Sequence, residues 1–415
     1  MSLPIIEKPQ QLKANLEAYR EIFTKTQFAH FQRLTTGLII SDNKTVQEIN
    51  DCFNECDQSS LNKFLTLSSW DREEVEKIRM RQVKKLNLSK GILIIDPTLL
   101  HKTGKHMEKA NYHYDGLTKE KEWGHQLVHT IFTDGKNSFP LRGDIYIREI
   151  DADEKYLFKT TREIGMEHLD FAVKNKIPFW LVMADAGIYA DFFLGKIKFL
   201  KKKYIVGIRI SNKISIDKGK RINVENYLNT LSDLDFSTHV YEDGIYHLHV
   251  KEIYTRGVGK EKLLVSYKEG DEDCIKIYTT NILDKNDEEL MYFLLQRWDI
   301  EVLHRDAKQN LGLEDYQVRK FGAIQKVVCA VHVAYTQLAL SKHHKILEPL
   351  KRGLKTIGEG CRFFRLIALK GWRWLKRKAR SLEELKNIMN TFVLYSPEGR
   401  EVVLIAILNF NVPGR

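Results

Sequence analysis

The chain is poor in several features that would have narrowed its class at once. Its 415 residues include 5 cysteines (Cys52, Cys56, Cys274, Cys329 and Cys361), an odd set that makes no even disulfide framework. Cys52 and Cys56 have no second Cys/His pair at zinc spacing, so a reduced, cytoplasmic protein without a zinc finger is expected. No apolar run reaches the ~20 residues needed to cross a bilayer. The nearest, "VVCAVHVAYTQLAL", carries His332 and Gln337, and no membrane partner is expected. The opening "MSLPIIEKPQQ" lacks the charged and apolar regions of a signal peptide. "HKTGK" lacks the glycine pattern of a phosphate-binding loop, so no nucleotide cofactor is implied. Internal repeats, Pro-rich linkers and low-complexity segments are also missing.

What is present is a globular composition, 43% hydrophobic and 29% charged, on a chain long enough for two or three domains. The net charge of +11 favours a polyanionic partner, because basic surface gains affinity by releasing counterions from a phosphate backbone.

Residues 1–85 read as short helices with Ser/Asp starts, either a helix-turn-helix-like DNA reader or a plain bundle. At "KGILIID" the pattern becomes a buried strand ending on Asp96. A hairpin around "TDGKN" follows, then a helix, then a second apolar strand, "PFWLVMADAG", ending on Asp185. A basic-ended helix and the strand "YIVGIRI" come next. The spacing predicts a β-rich insertion over 212–283, a core completed by 284–345, and a mainly helical basic region over 346–415. Within that last region "CRFFRLIALKGWRWLKRKAR" reads either as an amphipathic helix with snorkelling cations or as a DNA-backbone and stacking surface.

The segment "RWDIEVLHRDAKQNLG" reads as one helix over 297–312. At about 100° per residue, Arg297, Glu301, His304, Arg305 and Lys308 fall within roughly a 100° arc. Asp299, Asp306 and Asn310 form an opposite, solvated face. The plain account is a set of i,i+4 ion pairs, worth a few tenths of a kcal/mol each. The functional account is a carboxylate and cations at the lip of a cleft. His304 needs no catalytic role, and Trp298 suits either base stacking or the core.

Two strand-end aspartates and Glu301 suit phosphodiester cleavage. Two hard cations about 3.5–4 Å apart activate a water and stabilise the leaving 3′ oxygen. Mg²⁺ needs few carboxylates, since it keeps several waters. Arg297, Arg305 and Lys308 would then lie beside a polyanionic strand.

This arrangement resembles bacterial insertion-sequence transposases of the Asp-Asp-Glu type, in the group marked by Tyr-x2-Arg-x3-Glu-x6-Lys. Arg297, Glu301 and Lys308 match that signature, and "DAGIY" (Asp185, Gly187, Tyr189) matches its pattern around the second aspartate. The signature tyrosine falls on Leu294, and Pro97 follows Asp96 where relatives often carry another acid. The resemblance covers about residues 90–315. It implies a ribonuclease-H-like α/β fold: a mixed sheet with flanking helices and a β-rich insertion before the last catalytic helix. The helical N-terminal domain (1–85) read above lies outside the resemblance, and binding of DNA ends is one of its two readings. The core would be 86–211 with 284–345.

The same resemblance implies that Asp96 bridges two Mg²⁺ ions (Mn²⁺ substituting), that Asp185 and Glu301 complete them, and that Arg297 and Lys308 hold phosphates at the cleaved end. The helix stripe itself adds Arg305 as a DNA contact, and Trp298 if it stacks on a base instead of packing in the core. The partners implied are double-stranded transposon ends and target DNA, with a homodimer on DNA in the bacterial nucleoid. The alternative is a non-cleaving DNA-binding protein derived from a transposase. An aspartyl phosphatase would want an acid where Thr98 stands, and the cation stripe argues against a glycosidase.

Overall fold

Local capping starts most of the N-terminal helices. The computed structural model describes residues 8–53, 57–116, 118–216, 221–255, 258–272, 274–341 and 356–368. Helix α1 (Gln10–Leu16) leads to α2 (Lys25–Ile40), which Thr24 opens with a capping box shared with Gln27. Helices α3 (Val46–Phe53), α4 (Gln58–Thr66) and α5 (Arg72–Val83) follow, α5 being capped by the Asp71 side chain. Contacts divide the chain into two units: Met1–Asn87, His101–Ala110 and His304–Arg415 in one, Leu88–Leu100 and Asn111–Leu303 in the other.

In the second unit, "GILII" starts β1 (Gly91–His101), followed by β2 (Asn111–Tyr114), β3 (Lys121–Thr133) and β4 (Ser138–Ile145). The β3–β4 hairpin turns where Gly135 takes φ +79° and the Asp134 carboxylate accepts the Lys136 and Asn137 N–H groups. Helix α6 (Thr161–Lys174) packs on β3 and β4. Strand β5 (Phe179–Ala184), helix α7 (Asp191–Phe199) and strand β6 (Lys203–Gly207) complete the core order β4-β3-β1-β5-β6. Strands β1, β5 and β6 run parallel, and their unbroken apolar sequence reflects burial on both faces. This is the mixed, ribonuclease-H-like sheet anticipated above.

The insertion is not an appendage. It comprises β7 (Lys213–Ser215), β8 (Arg221–Asn223), α8 (Val224–Leu228), β9 (Ser237–Tyr241), β10 (Gly244–Thr255), β11 (Gly259–Lys268) and β12 (Lys276–Thr280). Its own core includes Ile214, Val224, Ile253, Leu263 and Ile277. Strand β12 pairs antiparallel with β6, so insertion and core form one continuous sheet.

The helix expected over 297–312 is interrupted at its first residue. Asn286 caps α9 (Asp287–Gln296), Arg297 lies at the junction, and α10 (Trp298–Leu311) begins after it. Helix α11 (Phe321–Ser341) packs on α1, α2, α4, α5 and α12 (Ile357–Ala368) in the first unit. By length and composition α11 is apolar enough to cross a bilayer, unlike the shorter run read from sequence, but 83% of its most apolar window is buried in the protein. Buried charges around it are paired: Arg79 binds Glu76 and the Thr336 hydroxyl, and His332 Nδ1 lies 3.6 Å from Glu76. Phe363 and Phe364 are buried in α12, which removes them from any DNA-stacking surface. Trp372 and Trp374 lie outside the described residues. Cys52, Cys274, Cys329 and Cys361 are free thiols.

One glycine holds the end of β6 against the loop after β5. A Cβ on Gly207 would come 2.7 Å from the Ala186 backbone nitrogen, a contact real side chains do not make. Gly207→Ala should cost about 1–3 kcal/mol in urea denaturation. The helical, unobstructed Gly195→Ala should be neutral or stabilising by up to about 1 kcal/mol.

Candidate active site

The β1–β5 ladder ends on the pair Ile95 and Ala184. The next residue on each strand is an aspartate, and the Asp185 N–H still donates to the Ile95 carbonyl at 3.2 Å. Asp96 and Asp185 therefore leave the ladder side by side. Asp96 is not the end of its strand, as expected from sequence; β1 continues through Pro97 to His101, and only the pairing with β5 stops. Asp185 begins a tight turn in which its carboxylate accepts the Gly187 N–H at 2.9 Å. A Cβ on Gly187 would sit 3.3 Å from that same carboxylate oxygen.

Arg297 links the remaining acid to this pair. One of its nitrogens lies 2.5 Å from Glu301 Oε1 and another 3.8 Å from Asp96 Oδ1. Its position follows from the way α10 is fixed. Ile300 and Leu303 are buried, and the Thr133 hydroxyl donates to the Asp299 carboxylate at 2.6 Å. Asp299 thus faces β3 rather than a solvated side, and burial raises its carboxyl above the usual range.

Electrostatics couples these groups. Burial, and after it the Asp185 and Glu301 charges, push the Asp96 carboxyl up to about 7, with Arg297 pulling the other way. Tyr278 of β12 completes the cluster. Burial is the largest influence raising its hydroxyl, Arg297 opposes that rise through a hydrogen bond and its charge, and Asp185 and Asp96 add to it. Sequence reasoning missed Tyr278. Its place depends on the register Tyr278 opposite Gly207, which no local pattern encodes.

The other residues singled out in the sequence are distributed along α10. Trp298 is 58% exposed, which rules out a core role. Arg305 is exposed, His304 is buried, and Lys308 pairs with Glu314 at 3.3 Å.

The donor set is chemically suited to a hard divalent cation: carboxylate oxygens that repel one another around the half-buried Asp96. As the side chains stand, Glu301 is turned to Arg297, and among the described residues no His/Cys/Asp/Glu group of three is gathered at ligating geometry.

Residues 18–222 match the family model described as DDE superfamily endonuclease, and residues 205–377 match that of the archaeal putative transposase ISC1217. The chain is similar to DDE endonucleases and transposases. It is also 30% identical over 208 residues to the probable transposase for insertion sequence element IS701 of Microchaete diplosiphon. That alignment takes in 48% of this chain and 53% of the relative, so the chain spans about half the length of the curated protein it matches. Among solved structures, the NurA nuclease from Sulfolobus solfataricus covers 66% of this chain and 92% of its own, at 10% identity and a TM-score of 0.25.

The raised Asp96 carboxyl has a definite pH signature. An acid whose folded pKa exceeds its unfolded value of about 3.9 leaves stability untouched below that value. It weakens the fold as pH rises toward about 7, and by a constant amount above it. Without metal, Asp96→Asn should therefore gain about 1–4 kcal/mol above pH 7 and nothing below about pH 4. Urea denaturation across that range checks it.

Proposed function

We propose that the chain is a DNA transposase that cuts phosphodiester bonds at the ends of a mobile element and joins the freed 3′ hydroxyls to target DNA. The observation that carries this reading is the pair of carboxylates at the end of the β1–β5 ladder, with Arg297 tying Asp96 to Glu301. The similarity to DDE endonucleases and transposases supports it.

Asp96, Asp185 and Glu301 would hold two Mg²⁺ ions (Mn²⁺ substituting), which when bound supply an activated water and charge neutralisation at the leaving 3′ oxygen. Arg297 orients Glu301 and Asp96, and turns to a phosphate of the cleaved strand when those carboxylates are otherwise engaged. Arg305 and Lys308 add phosphate contacts along α10. Trp298, exposed at the start of that helix, stacks on an unpaired base. The Arg, Glu and Lys of the Tyr-Arg-Glu-Lys signature are present, while Leu294 is buried at the tyrosine position. The phenol beside Arg297 is that of Tyr278 instead. Joining two ends calls for two copies on the DNA, hence a homodimer at the nucleoid. The helices of residues 1–85 are the segment we assign to recognition of the ends.

Purified protein with Mg²⁺ and DNA bearing the element's ends should give cleaved and joined products. Glu301→Gln should lower the rate by a factor of about 10³ or more while still binding those ends. Binding by the parent without cleavage in either metal would identify a non-cleaving DNA-binding protein instead. Trp298→Ala should leave thermal stability within about 0.5 kcal/mol. It should remove about 1–3 kcal/mol of binding to a duplex with an unpaired base near the cut, read by fluorescence anisotropy.

A further inference from the structure

Beside the turn that carries Asp185 lies a second polar feature that the cleavage chemistry does not use. A cavity of about 230 Å³ is lined by Arg162, Ala186, Tyr189, Arg209, Ser211 and Asn212. Its walls come from three places: the first turn of α6, the loop after β5, and the loop after β6. The Thr161 hydroxyl donates to the Gly187 carbonyl at 3.4 Å, and Gly207 lets the Ala186 backbone approach, so the three walls are tied together.

The lining contains two arginines and no acidic residue. Arg162 Nε is buried and has no hydrogen-bond partner, a costly arrangement for a charged donor. The Asn212 side-chain oxygen accepts the Arg209 N–H at 3.0 Å, which leaves the amide nitrogen of that side chain to donate. Ser211 adds a hydroxyl. Every polar group here suits a tetrahedral oxyanion, and paired arginines are the side chains that grip phosphate oxygens with fixed geometry. A simple ion pair is not what the pocket is built for, since its lining offers no acid.

We infer that this cavity binds a phosphodiester phosphate of a DNA strand next to the one handled at Asp96 and Asp185, with Arg162 and Arg209 as its anchors. The inference rests on the reading that DNA is the substrate, because Ala186 and Tyr189 join the cavity to the Asp185 turn. Its function is to hold the register of the strand. Contacts of this kind position nucleic acid without reading sequence.

The test is equilibrium binding in EDTA, so that cleavage plays no part. Fluorescence anisotropy compares the parent, Arg162→Ala, Arg162→Lys, Arg209→Ala and the control Arg148→Ala, which removes an exposed arginine paired with Asp151 outside the cavity. A duplex with the element's ends and an unrelated duplex are each titrated across a range of salt. Arg162→Ala and Arg209→Ala should bind both duplexes about tenfold more weakly. Their log K against log salt should be shallower by about 0.9 for each arginine removed. Arg162→Lys should keep the parental slope while losing affinity, because it retains the charge and loses the planar fork.

If Arg162→Ala fails to fold, the exposed Arg209→Ala and the conservative Arg162→Lys decide. Parental affinity and slope in a folded Arg209→Ala would overturn the inference, and so would an equal loss in Arg148→Ala. Inorganic phosphate that binds the parent but not Arg209→Ala, with unchanged DNA affinity, would mark a free-anion site and also overturn it. A parent that shows these losses but never cuts DNA keeps the cavity assignment and removes the transposase reading. A cutting parent whose arginine variants bind as it does removes only the cavity assignment.

Discussion

Carboxylates that leave adjacent strand ends must separate, take up a proton or share a cation. Here the parallel pairing of β1 with β5 stops one residue before each aspartate, so Asp96 and Asp185 cannot separate without breaking the ladder. The protein responds in two ways. Asp96 holds its proton to about pH 7, and Arg297 stands in as the local positive charge for both Asp96 and Glu301. The rest of the site is arranged around that tension.

Arg297 has this reach because it sits between two helices instead of within one. The break after Gln296 turns α10 so that Ile300 and Leu303 enter the core while the Thr133–Asp299 hydrogen bond pins the first turn to β3. Glu301, two residues beyond Asp299, is then held by Arg297, whose guanidinium also lies 3.8 Å from Asp96. The ion pair between Arg297 and Glu301 is part-buried, where the cost of desolvating both charges offsets much of their attraction. Its value is positional, since it keeps a carboxylate and a guanidinium aimed at the same place.

Much of this was legible in the sequence. The continuous apolar runs "GILII" and "FWLVMA" identify buried parallel strands, and the aspartate after each is visible by inspection. The Arg297–Glu301–Lys308 spacing marked the helix, and the hairpin at Asp134 followed from turn chemistry. What escaped was long-range. The solvated face assigned to Asp299 failed because one strand hydroxyl, Thr133, captures it, and a helical projection carries no information about a neighbour 166 residues away. Phe363 and Phe364 alternate with arginines in a way that fits either a core or a stacking surface, and packing chose the core. Tyr278 and the Arg162–Arg209 cavity depend on registers and loop closures that only the assembled sheet defines. Which chemistry the site performs is a separate matter from its geometry, and only the residue types with their family resemblance spoke to it.

The β6–β12 pairing has a consequence for how the chain can change. Residues between Gly207 and Lys276 look like an inserted module, with a small hydrophobic core of their own. Yet the module returns to the sheet by hydrogen-bonding β12 along β6. Cutting it out would strip β6 of its outer partner and expose a row of unpaired amides and carbonyls, the kind of edge that recruits strands from other molecules. It would also remove the phenol beside Arg297. The excursion is thus stitched in at the point nearest the acids, and a shortened descendant would need a replacement edge before it could keep the same sheet.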